Sequence, residues 1–395
     1  MFNTLYKKPY YTLILATILS TIILWLPFIF KFNSINGIKR TDLSFQTIEK
    51  NWDGPLYILV AKTWYNIKDP LLKTTPLGLD MTYYAAHLPL YPLSIKLLQP
   101  FFGYPKSMVI STLITTTILI CFFYFFVTKL KLSTQPLLLS LVFLFVTPRF
   151  LITRSVGSPE PQLLLFLLIS IYFFIENKYF WSGIFGALAV MTKSPAILLF
   201  PAYSIYIVAE VFKKRKFVAQ WLYLLLIPAG LLIVFIIYQI QYNDFFAYFH
   251  SGDNIHLAFP PFTIFNHQAP WVDTAWLEDI LFIFFFYLFA IITLLPKRLP
   301  LWGTEKLQNL ITPKHEKVFF YFLLVFFISI ISVQHRDISR YSLPMLPIAL
   351  ITFEKFFTSK KFIIALILLL PAIYLYAWNF MLHNVAPIAD WAAFL

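Results

Sequence analysis

Charge is scarce in this chain of 395 residues. Asp, Glu, Lys and Arg together make up 12% of it, where a soluble domain carries roughly 25% to coat its surface. A water-soluble globule is thereby excluded. Cysteine is scarcer still: Cys121 is the one cysteine, and it sits inside an apolar run. Neither an intramolecular disulfide nor a cysteine zinc cluster can form. Solenoid repeats, low-complexity tracts and a Gly-rich phosphate loop are all missing, and with them any sign of a soluble nucleotide-sugar domain. No cofactor motif is present.

What is there is apolar. Hydrophobic residues reach 59%, Phe alone occurs 45 times, and the mean hydropathy is +0.75. Apolar runs of roughly 17–25 residues recur from end to end, each long enough to cross about 30 Å of hydrocarbon. Barrel strands, which alternate in and out, show no such continuous runs. The expected fold class is all-α: a polytopic transmembrane bundle of about eleven helices, forming one membrane domain over 1–395. Spans are expected near 10–30, 107–128, 135–152, 161–175, 179–192, 195–212, 218–240, 279–296, 318–333, 342–357 and 361–381. The first is too long for a signal-peptide core of 7–15 residues and reads as a retained helix.

The net charge is +13, but the basic residues gather at helix ends, where they meet lipid headgroups. The implied partner is a bilayer and not nucleic acid. Lys7, Lys8, Lys129, Lys131, Lys213, Lys214, Arg215, Lys216, Lys297, Arg298, Lys360 and Lys361 fall on one side of this arrangement. By the positive-inside rule that side is cytoplasmic, giving a multi-pass cell-membrane protein with its N-terminus inside. The other side carries most of the carboxylates and two large loops, 31–106 and 241–278. The stretches 51–67 and 88–102 of the first loop read as interfacial helices, rich in Trp and Tyr and too interrupted to span.

Three constellations on that outer side could carry chemistry. In Asn51-Trp52-Asp53-Gly54-Pro55-Leu56-Tyr57, a helical reading puts Glu49, Asp53 and Tyr57 on one face. Asp53 is then either a base beside aromatic rings or the N-cap of a helix. His87, in His87-Leu88-Pro89-Leu90-Tyr91-Pro92, is either a ligand contact or a solvated interfacial side chain. In Gln334-His335-Arg336-Asp337-Ile338-Ser339-Arg340-Tyr341, two arginines stand on the side where positive charge is unfavoured. They either meet a phosphate, whose geometry matches the guanidinium fork, or pair internally with Asp337 or another carboxylate. Arg149, Arg154, Glu160 and Lys193 are further ionisable groups near membrane depth. Asp244, His250, Asp253, Asn254 and His256 match no metal-ligand spacing and read as a solvated loop.

Taken in series, these segments resemble the PIG-V-like mannosyltransferases of the GT-C glycosyltransferase superfamily. NWDGPLYILVAKTWY resembles their WD-x-x-x-Y segment, and HLPLYPLSIKLLQPF their FFPLYPLLIRLL-like phrase. SPEPQLLLFLLISIYFF, FWSGIFGALAVMTKSPAILLFP, NDFFAYFHSGDNIHLAFPP and SRYSLPMLPIAL follow in the family's order. The chain departs from the pattern at His87, where an aromatic is usual, at Pro159 before Glu160, and at Lys193, where arginine is common. The resemblance implies transfer of a sugar from a polyprenyl-phosphate donor to a lipid, glycan or protein acceptor on the extracytoplasmic side. It makes Asp53 the general base and Arg340 the donor-phosphate ligand, with Tyr341, Arg336 and Lys193 beside it. Trp52, Tyr57, His87, Tyr91 and Glu160 would contact substrate. The chemistry asks for no metal, since few carboxylates cluster with Asp53. A secondary transporter or flippase, which should show repeats and polar groups at the midplane of broken helices, is the alternative, as is a non-catalytic envelope-assembly protein.

Overall fold

The computed structural model describes residues 8–35, 37–39, 43–51, 53–73, 78–252, 257–265, 274–295, 314–335, 337–388 and 390–395. Helix α1 (Pro9–Ile29) leads into the outer loop, where a short hairpin of β1 (Ser34–Ile35) and β2 (Ile38–Lys39) is followed by α2 (Phe45–Glu49), α3 (Gly54–Thr63) and α4 (Leu90–Phe102). Then come α5 (Tyr104–Lys129), α6 (Pro136–Phe145), α7 (Pro148–Thr153), α8 (Glu160–Ile175), α9 (Tyr179–Thr192), α10 (Leu199–Lys214) and α11 (Leu226–Tyr242). The chain closes with α12 (Thr274–Leu294), α13 (Lys314–Ile331), α14 (Ile338–Tyr341), α15 (Leu346–Thr352) and α16 (Lys360–His383).

The expected helical membrane bundle is there. Among the described residues six helical stretches are long and apolar enough to cross a bilayer: Pro9–Ile29, Tyr104–Lys129, Ser194–Lys214, Ala219–Tyr242, Leu277–Leu294 and Lys360–His383. Of the remaining expected spans, 318–333 lies in the unbroken 18-residue helix α13, which opens on Lys314, Glu316 and Lys317. The spans 161–175 and 179–192 are the shorter helices α8 and α9, and two are broken. Pro148 interrupts 135–152, separating α6 from α7, because proline removes a helix donor and clashes with the preceding turn. The stretch 342–357 is divided into a 3₁₀ turn at Leu343–Met345, α15 and a last short turn at Glu354–Phe357, with Pro344 and Pro347 near its start. Exposed apolar side chains line α12 and α16, among them Phe282, Phe285, Ile364 and Leu368. A stripe of that kind fits hydrocarbon better than water.

Helices meet where side chains are small. A Cβ at Gly183 of α9 would lie 2.2 Å from the Tyr223 carbonyl oxygen, and one at Gly230 of α11 would lie 2.8 Å from the Ala187 carbonyl. Glycine at these positions lets α9 approach the backbone of α11 and of the 3₁₀ turn Ala219–Leu225 before it, as small residues do in membrane bundles. The buried side chains form two apolar clusters. One gathers α6, α8, α10, α13 and α15 around Phe143, Leu164 and Leu346. The other gathers the outer-loop helices with the ends of α1, α11 and α16 around Phe28, Ile58 and Tyr238.

Part of the outer loop packs inside the protein. Nearly all of α3 is buried, from Gly54 through Ala61. Helix α4 differs, with Leu93, Leu97, Phe101 and Phe102 exposed.

The two ends of the bundle differ chemically. Glu160 begins α8 and Ile175 ends it, about 22 Å apart at 1.5 Å per residue. At the far end, Lys314 Nζ donates to Asn177 Oδ1 at 2.7 Å and lies over the Phe174 and Tyr179 rings. Glu210 there takes Lys317 at 2.9 Å and Lys214 at 2.6 Å. The near end holds a different network.

Candidate functional site

Glu160 stands at the first turn of α8, where the helix dipole favours a carboxylate. Its Oε1 accepts from Lys193 Nζ at 2.5 Å and from Arg340 Nε at 2.5 Å, and its Oε2 accepts from the Ser158 hydroxyl. The side chain is 2% exposed. Lys193 reaches it from the break between α9 and the 3₁₀ turn Ser194–Leu198, where extended backbone ends one helix before the next begins. Arg340 comes from α14, a single turn that follows α13 and precedes the proline-broken segment.

The same guanidinium bridges to the outer loop. Arg340 Nη2 donates to Asp53 Oδ2 at 3.0 Å, and Nη1 lies 3.9 Å from Asp337 Oδ2. Asp337 also pairs with Arg149, whose guanidinium lies 4.0 Å from the Phe380 ring centroid. Among the described residues, Asp53, Glu160 and Asp337 thus face Arg340, Lys193 and Arg149. The charges balance, as buried ions must for the network to persist. Of the two readings the sequence allowed for Arg340, internal pairing is the one observed: it pairs with Glu160 and Asp53.

Asp53 occupies the N-cap position of α3, yet its side chain makes no capping hydrogen bond. Its carboxylate turns to Arg340 instead and keeps 39% exposure, far more than Glu160. Burial among protein groups works against the ionised form, but Arg340, with His87 and Lys193, holds the Asp53 carboxyl below its ordinary value. The segment is fixed on its N-terminal side by Asn51, whose Nδ2 donates to the Met381 carbonyl at 2.7 Å. Because α2 stops at Glu49 and α3 starts at Gly54, the two form no continuous helix. The single face expected for Glu49, Asp53 and Tyr57 is broken accordingly. Glu49 is buried away from the network, and burial, opposed by Lys106, raises its carboxyl to about 7.

His87 is buried and not a solvated interfacial side chain. Its ring meets Tyr57 edge-on at 4.8 Å, and Tyr57 meets Tyr91 at 5.0 Å. Tyr65 Oη donates to the His87 carbonyl at 2.6 Å and sets the backbone. Nδ1 of His87 has no hydrogen-bond partner. Burial, against the pull of Asp53, pushes the imidazole down to about 4, so it is neutral near pH 7. Tyr91 lies deeper. Its hydroxyl is taken up by Thr112 Oγ1 at 2.7 Å and by the Met108 carbonyl at 3.0 Å, which ties it to α5.

Tyr341 connects this network to an apolar cavity. Lys193 Nζ stands 5.2 Å from the Tyr341 ring centroid. The same residue lines a cavity of about 340 Å³, with Ser194, Leu198, Phe235, Phe249 and Ile330 among its walls.

The structure gathers Asp53, Glu160, Lys193 and Arg340 into one network of contacts, with Tyr341 beside it and Tyr57 edge-on to His87. Trp52 and Arg336 lie outside the described residues, as do Asp253, Asn254 and His256. Asp244 pairs with His250 at 2.6 Å on an exposed surface, as a solvated loop would have it. Arg154 is no part of the site: it is fully buried and donates to Thr21 Oγ1 at 2.7 Å and Ser20 Oγ at 2.9 Å, tying α7 to α1. Sequence reasoning missed Ser158 and the cavity wall, since a lone serine and scattered apolar side chains give no local signal. Among the described residues no three His, Cys, Asp or Glu side chains gather as a metal site. Compared with family models and with curated proteins, the chain matches none.

Proposed function

We propose that this protein is an integral membrane glycosyltransferase of the GT-C kind, mannosyltransferase-like, that takes its sugar from a polyprenyl-phosphate donor. One observation carries the reading: a partly exposed carboxylate, Asp53, and a buried guanidinium, Arg340, meet at 3.0 Å beside an apolar cavity that shares Tyr341 with them. A lipid-linked phosphosugar needs this combination. Its chain asks for apolar walls, its phosphate for a fixed cation, and the incoming hydroxyl for a base.

In this reading Asp53 accepts the proton of an acceptor hydroxyl as the oxygen bonds to the anomeric carbon. The bond from that carbon to the phosphate oxygen breaks, and its electron pair leaves on the phosphate, giving inversion. Arg340, with Lys193 nearby, faces the charge that develops there, and Tyr341 borders both phosphate and chain. The basic residues at the opposite end of the bundle support an extracytoplasmic site. The acceptor is a hydroxyl of a lipid, glycan or protein.

The test is transfer by purified protein in detergent from synthetic polyprenyl-phosphate sugars. Asp53→Asn should lose roughly 10²–10⁴-fold in rate, the span of a positioned general base. Arg340→Ala should lose on the order of 10²-fold or more. Wild-type rates for Asp53→Asn would remove the base, and failure to consume any lipid-linked sugar by folded protein would favour a transporter or an assembly protein.

A further inference from the structure

Arg340 holds two carboxylates that are not equivalent. Glu160 is 2% exposed, shares Oε1 between Arg340 and Lys193, and is braced through Oε2 by Ser158. Asp53 is 39% exposed and meets Arg340 through one nitrogen, Nη2, at 3.0 Å. Among the described residues Arg340 is already taken up by carboxylates, so a phosphate that approaches it competes with them for the guanidinium. One carboxylate must give up its share of the guanidinium, and the exposed, singly held one costs less to release into water.

We propose that an incoming phosphate displaces Asp53, not Glu160, from Arg340, so that donor binding itself frees the base. This rests on the donor reading above and adds an order of events to it. Before donor arrives, Arg340 restrains the Asp53 carboxylate and makes it a poor proton acceptor. Once phosphate takes Nη2, Asp53 turns toward the acceptor hydroxyl while Glu160 and Lys193 keep the guanidinium aimed. Arg340 is then a lock as well as a ligand, and Glu160 is its positioning residue. Without donor, water would not be deprotonated at Asp53.

The signature is a variant that binds better and works worse. Farnesyl phosphate, a sugar-free probe with both chain and phosphate, is titrated calorimetrically into the full-length protein in detergent. Asp53→Asn and Asp53→Ser should bind it roughly three- to tenfold more tightly than wild type, the size of one partly exposed charged contact removed as competitor. Glu160→Gln should bind more weakly. Asp244→Asn, which removes a half-buried carboxylate outside the network, should leave the affinity unchanged. Equal or weaker binding by both Asp53 variants overturns the proposal while the donor reading stands, provided wild type binds and Arg340→Ala does not. Equal tightening by Asp244→Asn overturns it in favour of a general field. No binding by any variant overturns both.

Discussion

Glu160→Gln is the most informative single change for the stability of the site. The substitution keeps volume and removes one charge from a group that is 2% exposed and carries Lys193 and Arg340 at 2.5 Å each. Removing one partner of a buried ion pair leaves an uncompensated charge and costs about 3–5 kcal/mol. Lys193 can limit the loss by shedding its proton, whereas a guanidinium cannot, which leaves Arg340 with Asp53 and the more distant Asp337. Asp53→Asn removes one contact of a carboxylate that is 39% exposed, so its cost should stay near or below about 1 kcal/mol. Equilibrium unfolding of both variants in mixed micelles measures the difference. The double variant Glu160→Gln with Lys193→Met should recover part of the loss, because it removes a stranded cation along with its anion. If Asp53→Asn destabilises as much as Glu160→Gln, the two carboxylates are equivalent anchors and the asymmetry drawn from their exposure is wrong.

Other outcomes follow from the same geometry. The His87 imidazole is pushed down to about 4 by burial, so the unfolded chain binds this proton first as pH falls. Stability should therefore drop between about pH 6.5 and 4, by at most about 3 kcal/mol, and His87→Phe should flatten that slope in a pH series of unfolding curves. Ile330→Trp, which fills part of the 340 Å³ cavity beside Tyr341, should lower transfer from long-chain donors more than from short-chain ones; equal losses would detach the cavity from the donor chain. Arg154→Met strands the hydroxyls of Ser20 and Thr21. It should cost on the order of 1–3 kcal/mol of stability, with donor binding by the folded fraction unchanged.

The broad fold was legible in composition because the bilayer is an undemanding reader. Apolar runs near twenty residues and charges collected at their ends suffice to predict a helical membrane bundle. The individual spans were less legible. Hydropathy averages over a window, while Pro148, Pro344 and Pro347 act on single backbone positions and divide apolar stretches that otherwise look continuous. The burial of α3 was not legible either, since its mixture of polar and apolar residues gives no sign that the Gly54–Ala61 stretch packs inside the protein.

At the site, sequence alone marked Asp53, Glu160, Lys193 and Arg340 as unusual, since ionisable groups beside apolar helices are costly unless they have partners. It left Asp53 divided between cap and base, and Arg340 between phosphate and internal pair. Pairing is a property of space. Asp53 and Arg340 are separated by 287 positions, and Glu160 and Arg340 by 180, distances over which no local periodicity carries information. Composition determined that this chain is a bundle of helices apolar enough for a membrane. Tertiary packing decided which carboxylate is buried and which is exposed. That depends on how Ser158 and Lys193 close around Glu160 while Asp53 stays at the edge, a consequence of which helices meet and not of any one segment's chemistry.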